Sequence, residues 1–301
     1  MKLIGAIEIE KMDETAAAIE RWRQQAIRQA ASLGVDAAEV DWLLRELAGW
    51  TPLDRLMHRP PPRRCAIEEL DKLWQQRLQH NIPLQQLLQT VTWRRLQLTV
   101  TDAVLIPRPE TELLVDLALD CLAEFSQPGL WVEMGTGSGA ISVGMAHESP
   151  ELSVIAVDTS AEALEVAAHN VKRYKLEQQI SLVQGHWFDA LLVSHDVPLL
   201  QGMVSNPPYI PSAVVEQLAP EVRDREPTLA LDGGVDGLVA IRHLIQEAPH
   251  FLQSGGCWLV ELMYDQAAEV SRLLAEDGRY RRIESHPDLD GNQRFVSARR
   301  I

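Results

Sequence analysis

The sequence predicts an α/β protein: a doubly wound, mostly parallel sheet ending in a C-terminal antiparallel hairpin, preceded by a small all-helical domain and a β-hairpin linker. Strand-like and helix-like segments alternate from about Pro109 onward, the order that builds a parallel sheet with helical crossovers. A short apolar strand at 130–134 runs into a glycine-rich turn and then an apolar helix from Ala140. Upstream of the linker, helical periodicity fills three segments between Thr15 and Leu78.

Taken in order, helices are expected at 15–33, 36–48 and 66–78, with Ile19, Trp22, Ala26 and Ala30 spaced for one buried face. Asp36 followed by Glu39 has the form of a capping box. Pro60, Pro61 and Pro62 break the helical pattern, and the alternating stretch 92–100 reads as strand bridging the two domains. Beyond it come a helix at 110–122, strands at 130–134 and 153–157, a helix at 161–174 and strands at 180–183 and 202–205. A helix at 237–252, a strand at 257–261 and a helix at 265–276 follow. Segments 281–285 and 295–298, joined across Pro287-Asp288-Leu289-Asp290-Gly291, form the terminal hairpin. The domains are therefore placed at 1–90, 91–108 and 109–301.

The turn Gly135-Thr136-Gly137-Ser138-Gly139 has the character of a nucleotide-binding loop, because glycines let the backbone approach a ligand and the helix start offers free N–H groups. Asp158, at the end of the next strand, stands at about the spacing from which a carboxylate reaches ribose hydroxyls. Gly135 through Ala140 also fits G-x-G-x-x-A, so the loop alone leaves open a nicotinamide dinucleotide or S-adenosylmethionine.

Asn206-Pro207-Pro208-Tyr209 closes the strand at 202–205 and suits capture of one planar amide-like nitrogen. Such a group carries two N–H donors. The Asn206 side-chain oxygen and a carbonyl fixed by the restricted φ of Pro207 and Pro208 would accept them, while Tyr209 offers a flat face.

A nucleotide loop, an acidic ribose anchor and then this tetrapeptide resemble the amino- and amide-methylating S-adenosylmethionine enzymes. More closely, the chain resembles the peptide chain release factor glutamine methyltransferases of the HemK/PrmC type. The likeness is carried by Leu105-Ile106-Pro107-Arg108-Pro109-Glu110-Thr111-Glu112, by Val132 through Ile141, by Glu226-Pro227 with Ala230 through Leu238, and by Asp288 through Gly291 with Arg294. It covers about residues 80 to 301.

The resemblance implies the S-adenosylmethionine-dependent methyltransferase fold. Catalytic roles would fall to Asn206, Pro207 and Tyr209, and substrate contacts to these and Pro208. Cofactor contacts would come from Glu133, Gly135, Thr136, Gly137, Ser138, Gly139, Asp158, Trp187 and Asn206. The implied acceptor is the glutamine of the Gly-Gly-Gln loop in class I release factors, with the helical domain helping to recognise the factor. The chain departs from the family pattern at His186, where an acidic residue is usual, at Glu133, where Asp is commoner, and at Gln86, where an aromatic is usual.

Composition narrows the alternatives. The length of 301 residues and a hydrophobic share of 46% suit two modest folded domains. Cys65, Cys121 and Cys257 are odd in number and lack a C-x-x-C pair, so neither a disulfide framework nor a metal site is expected and a reducing compartment is favoured. Glu8 and Glu10 interrupt the N-terminal apolar run before a signal core could form, and no stretch approaches membrane-spanning length, so a soluble cytoplasmic protein with no membrane contact is expected.

Residues 101–301 hold 14 Lys and Arg against 30 Asp and Glu, a field that repels phosphates and argues against stable duplex DNA binding. The clusters Arg59 to Arg64 and Trp93-Arg94-Arg95 read as solvated linker charge, with RNA or an acidic partner as the alternative. The competing functions are an adenine amino-group methyltransferase and a cofactor-binding regulator without turnover.

Overall fold

The computed structural model describes residues 2–57, 59–63, 65–127, 129–192 and 199–301, with the backbone alone for 2–15. The chain divides into two compact units, Met1–Leu88 and Gln89–Ile301.

The first unit is helical: Lys2–Leu33, Ala38–Ala48, Pro52–Leu56, Ile67–His80 and Leu84–Leu88. Ile19, Trp22, Ala26 and Ala30 are all buried, packed with Leu43, Leu44, Leu70 and Trp74 in a single core, as their spacing predicts. The expected capping box does not form. Asp36 Oδ1 does accept from Ala38 N, but Glu39 turns to the buried Arg77 guanidinium and accepts from Nε at 2.6 Å and Nη2 at 2.9 Å. A two-pronged charge-assisted pair outcompetes an exposed backbone N–H for the carboxylate. The reciprocal box occurs instead at Thr51 and Asp54, opening the short helix with Pro52 at its first position. In the basic cluster after it, Arg59 pairs with Asp54 and Arg63 donates to the Glu46 carbonyl, whereas Arg64 lies outside the described residues.

The second unit opens with the expected hairpin, β1 (Val91–Trp93) and β2 (Leu96–Leu98), whose turn at Arg94 and Arg95 falls inside the alternating stretch 92–100. Arg94 takes a left-handed φ of 52°, normally the place of glycine or asparagine. Its N–H donates to Glu112 Oε1, and its guanidinium reaches the Glu112 carbonyl, Asp116 and Glu148. Arg94 is thus an internal clamp rather than solvated charge or a partner contact. Trp93 is buried in the same unit and donates its indole N–H to the Arg108 carbonyl.

The main sheet contains β3 (Leu130–Met134), β4 (Ser153–Asp158), β5 (Ile180–Gln184), β6 (Leu200–Ser205), β7 (Leu252–Glu261), β8 (Tyr280–Pro287) and β9 (Gln293–Arg300), in the order β5-β4-β3-β6-β7-β9-β8. Strands β3 to β7 run parallel, while β9 joins β7 and β8 joins β9 antiparallel. The predicted class is observed. Alternation along the strands feeds two cores: Trp131, Val204 and Leu259 face the helices Glu112–Ala123 and Ala140–Glu148, while Val132, Met203 and Trp258 face Val239–Phe251 and Ala267–Asp277. The chain builds outward from β3 to β5 and then returns to lay β6 on the other side of β3, which makes a switch point at the carboxyl ends of β3 and β6. No helix among the described residues is long and apolar enough to cross a membrane.

Candidate active site

A cavity of about 440 Å³ opens at that switch point, inside the ~300–1,000 Å³ range of small-molecule sites. Glu133, Gly135, Thr136, Gly137, Ser138, Asp158, Trp187, Asn206 and Pro208 all line it. Gly139, Pro207 and Tyr209 do not.

On the β3 side, Gly135 and Gly137 have φ of 74° and 52°, the conformations that bend the loop under the cavity. Asp158 holds the loop by accepting from Gly137 N at 2.8 Å, and its other oxygen accepts from Ser160 N at 3.0 Å. Gly139 serves packing, since a Cβ there would stand 3.3 Å from that of Ala167. Glu133 is buried beneath the loop. Its Oε2 accepts from Thr136 Oγ1, Ser142 Oγ and Ser142 N, so the carboxylate satisfies a first-turn N–H of a helix whose N-cap, Gly139, has no side chain. Burial nevertheless pushes the Glu133 carboxyl up to about 7, with these donors opposing the rise and the Asp158 charge adding to it. Its Oε1 has no protein donor among the described residues, and the residue lines the cavity.

At the β5 end, Trp187 adopts φ 48°, an uncommon conformation for a bulky residue. This turn separates two aromatics: Phe188 enters the core and stacks on Phe251, while Trp187 stays half-buried in the cavity wall. Exposed His186 lies edge-on to it, 6.0 Å between ring centroids.

On the β6 side, Asn206 Nδ2 donates to Thr111 Oγ1 at 3.3 Å, leaving Oδ1 as the end of the amide without a protein partner among the described residues. Tyr209 points elsewhere than the cavity wall and donates its hydroxyl to Glu261 Oε1 at 3.3 Å. The tetrapeptide backbone is held from behind: Gln266 Nε2 donates to the Tyr209 carbonyl at 2.9 Å, and Gly233 N donates to the Ile210 carbonyl. Gly237 is forced by this packing, because a Cβ there would lie 2.2 Å from the Tyr209 carbonyl oxygen. Two motif segments far apart in sequence meet where Arg108 pairs with buried Glu226 at 2.6 Å. Residues Thr111, Glu261 and Gln266 had no assigned role in the sequence. The signal available for Glu261 is a carboxylate at the end of an otherwise apolar strand.

Residues 111–221 match the family Methyltransferase small domain. The release factor glutamine methyltransferase of Synechocystis sp. is 43% identical over 291 residues, covering 93% of this chain and 96% of that protein. That of Gloeobacter violaceus is 45% identical over 282 residues, covering 91% and 94%. The chain belongs to the release factor glutamine methyltransferase family. The relationship extends beyond the segment from residue 80 that carries the motifs, since the aligned length takes in most of the helical unit as well. Among solved structures, the N-terminal domain of human METTL16 is 12% identical with a TM-score of 0.51, covering 75% of this chain and 79% of that one, a likeness of fold alone.

The residues present fit S-adenosylmethionine. The cavity has room, its floor is a glycine loop, a carboxylate closes the second strand, an aromatic face stands at the third, and Glu133 Oε1 is open at the first.

Proposed function

We propose that this chain transfers a methyl group from S-adenosylmethionine to the side-chain amide nitrogen of the glutamine in the Gly-Gly-Gln loop of class I peptide chain release factors, acting in the cytoplasm. Family membership supports the reaction class. The observation that carries the site assignment is the Asn206 amide, tied by Nδ2 to Thr111 and presenting Oδ1 beside the glycine-loop cavity.

In this reading Asp158 meets the ribose hydroxyls, Trp187 the adenine, and Glu133 the amino-acid end of the cofactor. S-adenosylmethionine supplies a methyl group that is already electrophilic. The remaining burden on the chain is to hold a weakly nucleophilic amide in line, and two fixed acceptors, Asn206 Oδ1 and the Pro207 carbonyl, would hold its two N–H groups. As the nitrogen gains positive character those hydrogens become better donors, so the acceptors favour the transition state over bound substrate. No general base is needed before transfer, because the proton can leave afterward. Tyr209, placed on Glu261, would orient the tetrapeptide from behind. The helical unit would recognise the folded factor.

Labelled S-adenosylmethionine incubated separately with release factor and with unmethylated DNA tests the reading. Label is expected on the loop glutamine alone, and intact factor should far exceed a short peptide carrying the same residue. Label in DNA would favour the adenine methyltransferase, and no transfer to either would overturn the assignment.

A further inference from the structure

Glu261 is fully buried at the end of β7, and the register Ser205↔Val260 sets it beside Asn206 across the ladder. One of its oxygens accepts from Tyr209, while Oε2 is enclosed with no hydrogen-bond partner. A buried carboxylate oxygen left unpaired is costly and rare. Thr111, itself buried, accepts from Asn206 Nδ2 and so has its own hydroxyl proton left to give.

Resting on the site reading above, we infer that Glu261 is a positioning residue that acts through Thr111 to fix which end of the Asn206 amide faces the substrate. The ionised carboxylate draws the rotatable Thr111 proton toward Oε2. The Thr111 oxygen can then only accept from Asn206, so Nδ2 stays inward and Oδ1 outward. Without the charge, Thr111 can donate to Asn206 instead, and a turned amide would set its N–H groups against the N–H groups of the acceptor.

The surroundings agree with a group poised between states. Burial pushes the Glu261 carboxyl up to about 7; the nearby Thr111 hydroxyl opposes this, although no hydrogen bond of ordinary geometry joins the two, the Glu110 charge adds to the rise, and Tyr209 and Arg294 oppose it. Ionised Glu261 is the ordering form, so kcat should rise with pH through that range.

The test measures kcat, KM for release factor and S-adenosylmethionine affinity by calorimetry from about pH 6 to about pH 9, spanning the titration of Glu261, for the wild type, Glu261→Gln, Thr111→Val, Thr111→Ser and the Glu261→Gln/Thr111→Val pair. Glu261→Gln should lower kcat about 10-fold, less than the ~10²–10³-fold of a group contacting the transition state directly. Its pH limb should vanish, with cofactor affinity unchanged. Thr111→Val should do the same, Thr111→Ser should restore activity, and the double variant should be no worse than Thr111→Val. Wild-type kcat and pH limb in Glu261→Gln, or additive losses in the double variant, would overturn the inference. Should Glu261→Gln fail to fold, equal kcat in Thr111→Val and Thr111→Ser overturns it on its own. A wild type without transfer to release factor, or an unimpaired Asn206→Ala, would instead strike the site reading.

Discussion

Glu133 and Glu261 occupy comparable places, one next to last in β3 and the other last in β7, both buried and both pushed up to about 7 by burial. Their surroundings differ. Glu133 gathers three donors on one oxygen and staples the glycine loop to its helix, whereas Glu261 receives one long bond from Tyr209 and leaves an oxygen orphaned. Similar titration thus arises from a carboxylate with three donors on the cofactor side and one with a single long donor on the acceptor side. The comparison teaches that the β3 half of the site is built for holding and the β6–β7 half for orienting.

The strongest way to break that division is Asn206→Ala. If the acceptor half only orients, the variant should stay folded and bind S-adenosylmethionine normally while losing turnover by about 10²-fold or more, the order for deleting one preorganised transition-state hydrogen bond. Circular dichroism, calorimetry and single-turnover transfer to release factor measure the three separately. Near-normal turnover would end the orienting role of the amide.

Asp158→Ala probes the holding half. Loss of hydrogen bonds from the ribose should weaken cofactor affinity by about 1–3 kcal/mol. Because the same carboxylate also receives Gly137 N and Ser160 N, part of that loss comes through a loosened loop. Saturating cofactor should return kcat close to wild type. A kcat defect that persists at saturation would merge the two halves into one.

The halves also differ in how plainly the sequence displays them. Apart from Trp187, the cofactor-side features lie within one strand–loop–helix–strand unit, from Leu130 to Asp158, where spacing along the chain stands in for distance. On the acceptor side only Asn206-Pro207-Pro208-Tyr209 is contiguous; Thr111, Gly237, Glu261 and Gln266 arrive from separate segments. Nothing local states that Ser205 pairs with Val260, and so nothing local places Glu261 by Asn206. The hairpin linker was expected, but its turn was hidden for a related reason. Its turn lacks glycine, and the left-handed Arg94 is sustained by Glu112, Asp116 and Glu148, partners that only the tertiary fold supplies. Tyr209 shows the limit in another way, since its aromatic character suggested a platform and its hydroxyl found a buried carboxylate.

The smallest expected effect, and the most direct test of the Glu133 and Glu261 contrast, is on stability. Both carboxyls are pushed up to about 7 in the fold, above the ordinary 4.5 of a glutamate. The folded state therefore binds their protons more tightly, so their contribution is fully present below the unfolded pKa and is lost as pH rises through about 7. Chemical denaturation should accordingly show a less stable wild type at about pH 8, above that window, than at about pH 5, near its lower end. Glu261→Gln removes an unsatisfied charge and should gain about 1–2 kcal/mol at the higher pH, with its share of the pH slope gone. Glu133→Gln should lose its share of the slope too, and because its amide oxygen can take the place of Oε2 and keep the three donors, the variant should stay within about 1 kcal/mol of wild type at the lower pH. An unchanged slope in Glu261→Gln would show that this group does not titrate in the window. A variant that is more stable yet slower in transfer would explain why a costly carboxylate is kept beside the acceptor, as stability given up for the orientation of one amide.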